Sequence, residues 1–191
     1  MTRRLVVSAY SSLDGVVQDP VGMENSGLGN WVGPFDRGPK GDEIMHEELF
    51  SADIVLLGRK SYDGFAAVWP HVEDETGFAT RLNSMPKYVA SRSMSEATWN
   101  NTTLIGDDVL GKVGTLKSEG DGDILVLGSA GLVHDLLPAE LVDVIHLMVY
   151  PTVLGRGNRL LPEGWSSRLA LDSITELGTG IVSLRYLVCA S

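Results

Sequence analysis

Short apolar runs that end in a small-residue turn recur through the first two thirds of this 191-residue chain. They cover residues 5–10, 53–57, 87–91, 102–105 and 124–127. A continuous apolar run of that length suits a strand covered on both faces, and such strands belong to parallel sheets flanked by helices. Helix candidates lie between the runs. Residues 42–51 put Ile44, Met45 and Leu49 on one side, residues 76–84 and 109–119 are weaker, and residues 132–137 stop at Pro138. The pattern then changes. Residues 142–149, 169–177 and 181–188 read as strands, with Gly178-Thr179-Gly180 as a hairpin turn between the last two. The expected fold is α/β: one domain over residues 1–191, a three-layer sandwich with a mostly parallel sheet and an antiparallel C-terminal hairpin. One stretch, residues 18–41, is rich in glycine, contains Trp31 and three prolines, and fits no element. Long loops in compact domains are usually functional or mobile.

Composition removes several function classes. Hydrophobic residues make up 43% and charged residues 21%, a globular profile that excludes a disordered or disulfide-rich chain. Fifteen Lys and Arg face 25 Asp and Glu, for a formal charge of −10, and the acidic excess is spread over both halves. With no basic stripe, neither nucleic acid nor an anionic membrane surface is an expected partner. An anionic ligand has to be held locally, by a few arginines and backbone amides. No apolar segment approaches the roughly 18 residues of a membrane span. Arg3 and Arg4 precede an apolar run, as in a secretory signal, but the run is short and no cleavage site follows, so a first strand and a cytoplasmic protein are expected.

Cys189 stands alone, which rules out an internal disulfide and a cysteine metal site. His46, His71, His134 and His146 are scattered without ligand spacing, and each reads as a surface or packed histidine; no metal is expected. Ser129 misses the nucleophile-elbow register. Metalloenzyme and nucleophilic hydrolase therefore have little support.

The informative residues close three of the apolar runs. Gly58-Arg59-Lys60-Ser61 offers close backbone approach, two cations and a hydroxyl. Ser91-Arg92-Ser93 sets two hydroxyls around an arginine, which suits a phosphate monoester and, by the logic of dinucleotide sites, a 2′-phosphate. Gly128-Ser129-Ala130-Gly131 is small enough to sit against a pyrophosphate. In open α/β sheets, ligands bind beyond the carboxyl ends of the strands, where helix N-termini present free N–H groups. The plain alternative for each turn is a helix cap with solvated neighbours.

The residues at these turns, in their order along the chain, resemble a known family. Ser12-Leu13-Asp14-Gly15 resembles the opening of the reductase domain of riboflavin-biosynthesis deaminase–reductases. Leu57-Gly58-Arg59-Lys60-Ser61-Tyr62 is similar to the Gly-Arg-x-Thr segment of dihydrofolate reductases, with Ser61 in place of threonine. Leu127-Gly128-Ser129-Ala130-Gly131 resembles their double-glycine turn. Leu141-Val142-Asp143 and the segment from Tyr150 through Gly155-Arg156-Gly157 resemble the closing strand and loop of the riboflavin-type reductases. The zinc deaminase motifs of the bifunctional enzymes are absent, so the chain resembles a stand-alone reductase domain.

The resemblance implies an eight-stranded sheet, a homodimer and NADPH as cofactor. It implies that Gly58, Arg59, Lys60 and Ser61 face the cofactor phosphates, that Ser91, Arg92 and Ser93 surround the 2′-phosphate, and that Gly128, Ser129, Ala130 and Gly131 line the pyrophosphate. The loop through Trp31 corresponds to a mobile loop over nicotinamide. Gly15, Gly155 and Arg156 fall on the substrate or lid side, and Arg156 with Arg159 are the candidate cations for a ribosyl phosphate. Two acids are candidates for a catalytic role. Asp42 matches by spacing the acid that opens the helix before the Gly-Arg strand, with Glu47 and Glu48 as rivals and an ordinary first-turn acid as the plain alternative; Asp14 is the second. The expected activity is hydride transfer from NADPH to a small pyrimidine, of the 5-amino-6-(5-phosphoribosylamino)uracil kind, or to a pterin-like molecule. The competing readings are a non-catalytic NADPH-binding module and a purely structural domain with a degenerate site.

Overall fold

The computed structural model describes residues 2–189. Its strands are β1 (Leu5–Ser12), β2 (Ala52–Gly58), β3 (Lys87–Ala90), β4 (Thr102–Ile105), β5 (Asp123–Leu127), β6 (Val144–Tyr150), β7 (Leu169–Glu176) and β8 (Val182–Val188). They form one sheet in the order β4-β3-β2-β5-β1-β6-β8-β7. Pairing is parallel from β4 to β6 and antiparallel for β6 with β8 and β8 with β7. The expected eight-stranded α/β sandwich is what the chain adopts. The five runs at residues 5–10, 53–57, 87–91, 102–105 and 124–127 fall in β1 to β5.

The helices are α1 (Gly38–Ser51), α2 (Arg59–Val68), α3 (Phe78–Ser84), α4 (Val109–Ser118) and α5 (Ala130–Leu136). Strand alternation sorts the apolar side chains between two faces. Val6, Val55, Leu57 and Leu125 meet Leu49 of α1, Tyr62 of α2 and Leu82 of α3. Leu5, Val7, Leu56, Ile124 and Val126, none with any exposed surface, meet Val113 and Leu116 of α4 and Val133 and Leu136 of α5. Burying each such side chain contributes about 1.5–3 kcal/mol, which fixes the layers. Among the described residues no helix is long and apolar enough to cross a membrane.

Several element boundaries differ from the sequence expectation. α1 opens at Gly38, four residues before Asp42, because Pro39 in its first turn is already set to a helical φ and needs no N–H partner. α3 opens at Phe78, after Gly77 at φ +78°. α5 opens at Ala130, two residues early, because Ser129 takes the left-handed conformation as its cap. The long segment after β1 has no regular element until Gly38, but it is tied down. Trp31 is buried, its indole N–H donates to the Gln18 carbonyl at 2.9 Å, and its ring stands edge-on to Tyr150.

Candidate functional site

Six parallel strands bring their carboxyl ends to one edge of the sheet, and a cavity of about 760 Å³ opens there. The turns leaving β2, β3 and β5 line it together: Gly58, Arg59, Lys60 and Ser61; Ser91 and Arg92; Gly128, Ser129, Ala130 and Gly131. Ser93 stands just behind, its hydroxyl 3.4 Å from that of Ser91 and 3.4 Å from Arg59 Nη1. Three segments that are 30 or more residues apart in sequence thus share one wall.

Two of the turns are cross-linked. The Gly58 amide donates to Ser129 Oγ at 2.9 Å, the Ser129 hydroxyl donates to the Leu127 carbonyl at 2.9 Å, and the Ser129 amide donates to Ser61 Oγ at 3.1 Å. These bonds hold Gly128 and Ser129 both at φ +57°. A non-glycine residue at positive φ is uncommon and persists where its surroundings over-determine it. The serine hydroxyls therefore fix the shape of the wall, while the first amides of α2 remain open to a ligand.

The opposite wall comes from β1 and from the segment after it. Ser8 and Tyr10 contribute side chains, and Met45, Phe65, Trp69 and Phe78 add an apolar flank. Ser8, itself buried, is the end of a polar chain that reaches the cavity lining. Its hydroxyl donates to Glu48 Oε2 at 2.8 Å; Glu48 Oε1 lies 2.8 Å from His146 Nδ1; His146 Nε2 lies 2.7 Å from the Ser183 hydroxyl. Strand register explains the assembly: Ser8 pairs with His146, and His146 with Arg185, so the three lie in one row across β1, β6 and β8. Arg185 Nη1 is 3.6 Å from Glu48. Beside it, Arg37 donates to the Tyr10 hydroxyl at 3.0 Å, and burial pushes the Tyr10 phenol up, which keeps it neutral.

Both sequence-expected acids lie outside the cavity lining. Asp42 is exposed, lies beyond the first turn of α1, and accepts from Arg37 Nε at 2.7 Å. Asp14 clasps two loops. It accepts from the Ser12 hydroxyl at 2.7 Å and from the amides of Leu154 and Gly155 at 3.1 and 2.8 Å. Those bonds, the hydroxyl first, lower its pKa to about 2. Gly15, Trp31, Gly155 and Arg156 also stand outside the lining: Gly15 turns the chain at φ +83°, and Arg156 donates to the Gly27 carbonyl at 3.0 Å. Ser8 and His146 are the functional residues that sequence reasoning missed. Their signal was present: Ser8 is a polar residue inside a run read as covered on both faces, and His146 is a lone ionisable residue in the apolar strand read over residues 142–149.

The RibD C-terminal domain family model matches residues 3–183. The chain belongs to that family. It is 31% identical over 190 residues to the protein YyaP of Bacillus subtilis (strain 168), covering 96% of this chain and 94% of that one. A putative riboflavin biosynthesis protein from Shewanella sp. PV-4 superposes with a TM-score of 0.76 at 18% identity, covering all of both chains. A dihydrofolate reductase from Enterococcus faecalis, complexed with NADP(H), superposes with a TM-score of 0.61 at 13% identity, again covering both chains in full. Family and fold are thus reductase-like.

Proposed function

We propose that the protein is an NADPH-dependent reductase of a small nitrogen heterocycle, of pyrimidine or pterin type. The observation that carries this reading is the convergence of the β2, β3 and β5 turns, with Arg59, Lys60 and Arg92, on one cavity large enough for a dinucleotide end and a second small molecule. The residues fit the cofactor. The α2 amides with Arg59 and Lys60 would hold the phosphates, Gly128 and Ser129 would take the pyrophosphate, and Arg92 between Ser91 and Ser93 would take the 2′-phosphate. When bound, the reduced nicotinamide supplies a hydride to an electrophilic C=N or C=O carbon.

The chain's own residues do the rest. The apolar flank of Met45, Phe65, Trp69 and Phe78 excludes water and holds a flat ring. Ser8 presents its oxygen to the substrate, and Glu48, accepting the Ser8 hydroxyl proton at 2.8 Å with His146 behind it, holds that oxygen in place to orient a ring N–H. In this assignment Glu48 takes the role that spacing had given to Asp42.

Glu48→Gln and Arg92→Ala separate the parts. Glu48→Gln keeps NADPH affinity and loses about 10²-fold in NADPH oxidation with its substrate, as Ser8 loses its set orientation. Arg92→Ala weakens NADPH about 10- to 100-fold, the worth of one charge-assisted contact, and leaves NADH affinity as it was. Full turnover by Glu48→Gln would remove the role given to Glu48, NADPH binding without any oxidation by the wild type would favour a binding module, and an Arg92→Ala protein with unaltered NADPH affinity would remove the 2′-phosphate assignment.

A further inference from the structure

We propose that the substrate taken by this cavity carries no phosphate: it is a small neutral or cationic ring compound, held on the β1 side. The proposal rests on the cofactor reading above and deepens it by naming the chemical class of the second ligand.

The charges that line the cavity are sorted. Arg59, Lys60 and Arg92 follow β2 and β3, and the 3.4 Å approach of Arg59 to the Ser93 hydroxyl shows that they form one corner. The sign reverses at the segment after β1, where Asp19 and Glu24 lie; Asp135 of α5 is the third acid of the lining, and among the described residues no other Lys, Arg or His lines the cavity. The cofactor's own phosphates would take the cationic corner, which leaves the acidic side for the substrate.

Asp19 carries a fixed charge. It is 2% exposed and accepts from the Glu24 amide at 2.8 Å, the Ser26 amide at 3.2 Å and the Ser26 hydroxyl at 2.6 Å. Burial works to raise its pKa, but the Ser26 hydroxyl and the amides outweigh it and hold the group below the usual carboxylate range. The arginines that sequence reasoning offered for a ribosyl phosphate are engaged elsewhere. Arg156 donates to the Gly27 carbonyl at 3.0 Å and Arg159 donates to the Asp14 carbonyl at 3.1 Å, and neither lines the cavity. A phosphate monoester on this side meets the exposed Glu24 and the buried charge of Asp19 beside an apolar flank, and no lining cation. That combination disfavours a dianion, because a buried charge needs a partner. A bare ring fits, since the floor offers acceptors: Ser8 Oγ already donates to Glu48, so its lone pairs face a ligand N–H.

The test is calorimetry on the full chain, first with NADP⁺ alone and then saturated with it. The probes are a matched pair, 5-amino-6-ribosylaminouracil and its 5′-phosphate. The unphosphorylated form is expected to bind at least tenfold more tightly, about 1.4 kcal/mol. Tighter binding of the phosphate ester, equal affinities, or binding of neither would each overturn the proposal. In the double variant Glu24→Lys, Asp135→Lys the ratio of the two affinities should move tenfold or more toward the ester; an unmoved ratio also overturns it. Using a ratio cancels any loss of folded protein. Failure of NADP⁺ to bind in the first step sinks the cofactor reading instead.

Discussion

Lys87, the first residue of β3, has no exposed surface. Its ammonium donates to the carbonyls of Leu82, Asn83 and Met85 at 2.9, 3.0 and 2.9 Å and lies 4.5 Å from the centre of the Trp99 ring. It closes the carboxyl end of α3, where helix carbonyls lack partners. Burial pushes its pKa down to about 8, against about 10.4 for a free lysine. Between those values the unfolded chain binds more protons than the folded one, so the stability of the site rises with pH across that window. Lys87→Met should cost about 1–3 kcal/mol near neutrality through three carbonyls left without a donor. The gap between wild type and variant in urea unfolding should widen from about pH 7.5 to about pH 10. A constant gap would contradict the account. Sequence placed Lys87 in a strand and went no further, because its partners are supplied by the end of a helix whose position depends on the whole fold. Glu48 was legible only as one of three neighbouring acids on α1. What singles it out is Ser8 and His146, which strand register brings from 40 and 98 residues away.

At the scale of elements, the strand-to-helix turns were the most legible part of the chain, since each depends on a local sequence that ends an apolar run. Their cross-link was not legible. Nothing in Gly128-Ser129 alone shows that the Ser129 hydroxyl takes the Gly58 amide. Ser129→Ala leaves that amide without its acceptor and should lower stability by about 1 kcal/mol, with NADPH affinity falling as the wall loosens. Gly128→Ala adds a Cβ at φ +57°, costing about 1 kcal/mol. Thermal unfolding with and without NADPH checks both. A Ser129→Ala protein unchanged in melting temperature and in its NADPH-induced shift would mean that the two turns act separately. The misplaced start of α1 has an equally local cause: Pro39 allows a helix to open where the acidic pattern around Asp42 pointed to a later residue.

For the whole molecule, the decisive feature is strand order. The chain builds outward from β1 through β2, β3 and β4, then returns to insert β5 between β2 and β1. That insertion brings the β5 turn beside the β2 turn and leaves the β1 segment facing both across one cavity. Buried runs disclosed the sheet, but the crossing order came only with the structure, because parallel strands carry no mark of their neighbours. The same order separates the cationic corner of Arg59, Lys60 and Arg92 from the acidic side at Asp19 and Glu24. The central claim is that this corner holds the phosphates of NADPH, and calorimetric titration of the wild-type protein with NADPH and with NADH tests it most directly. The account predicts micromolar binding of NADPH and binding of NADH weaker by a factor of about 10–100, the share of one arginine–phosphate contact. Equal affinities, or no binding of either, would contradict it.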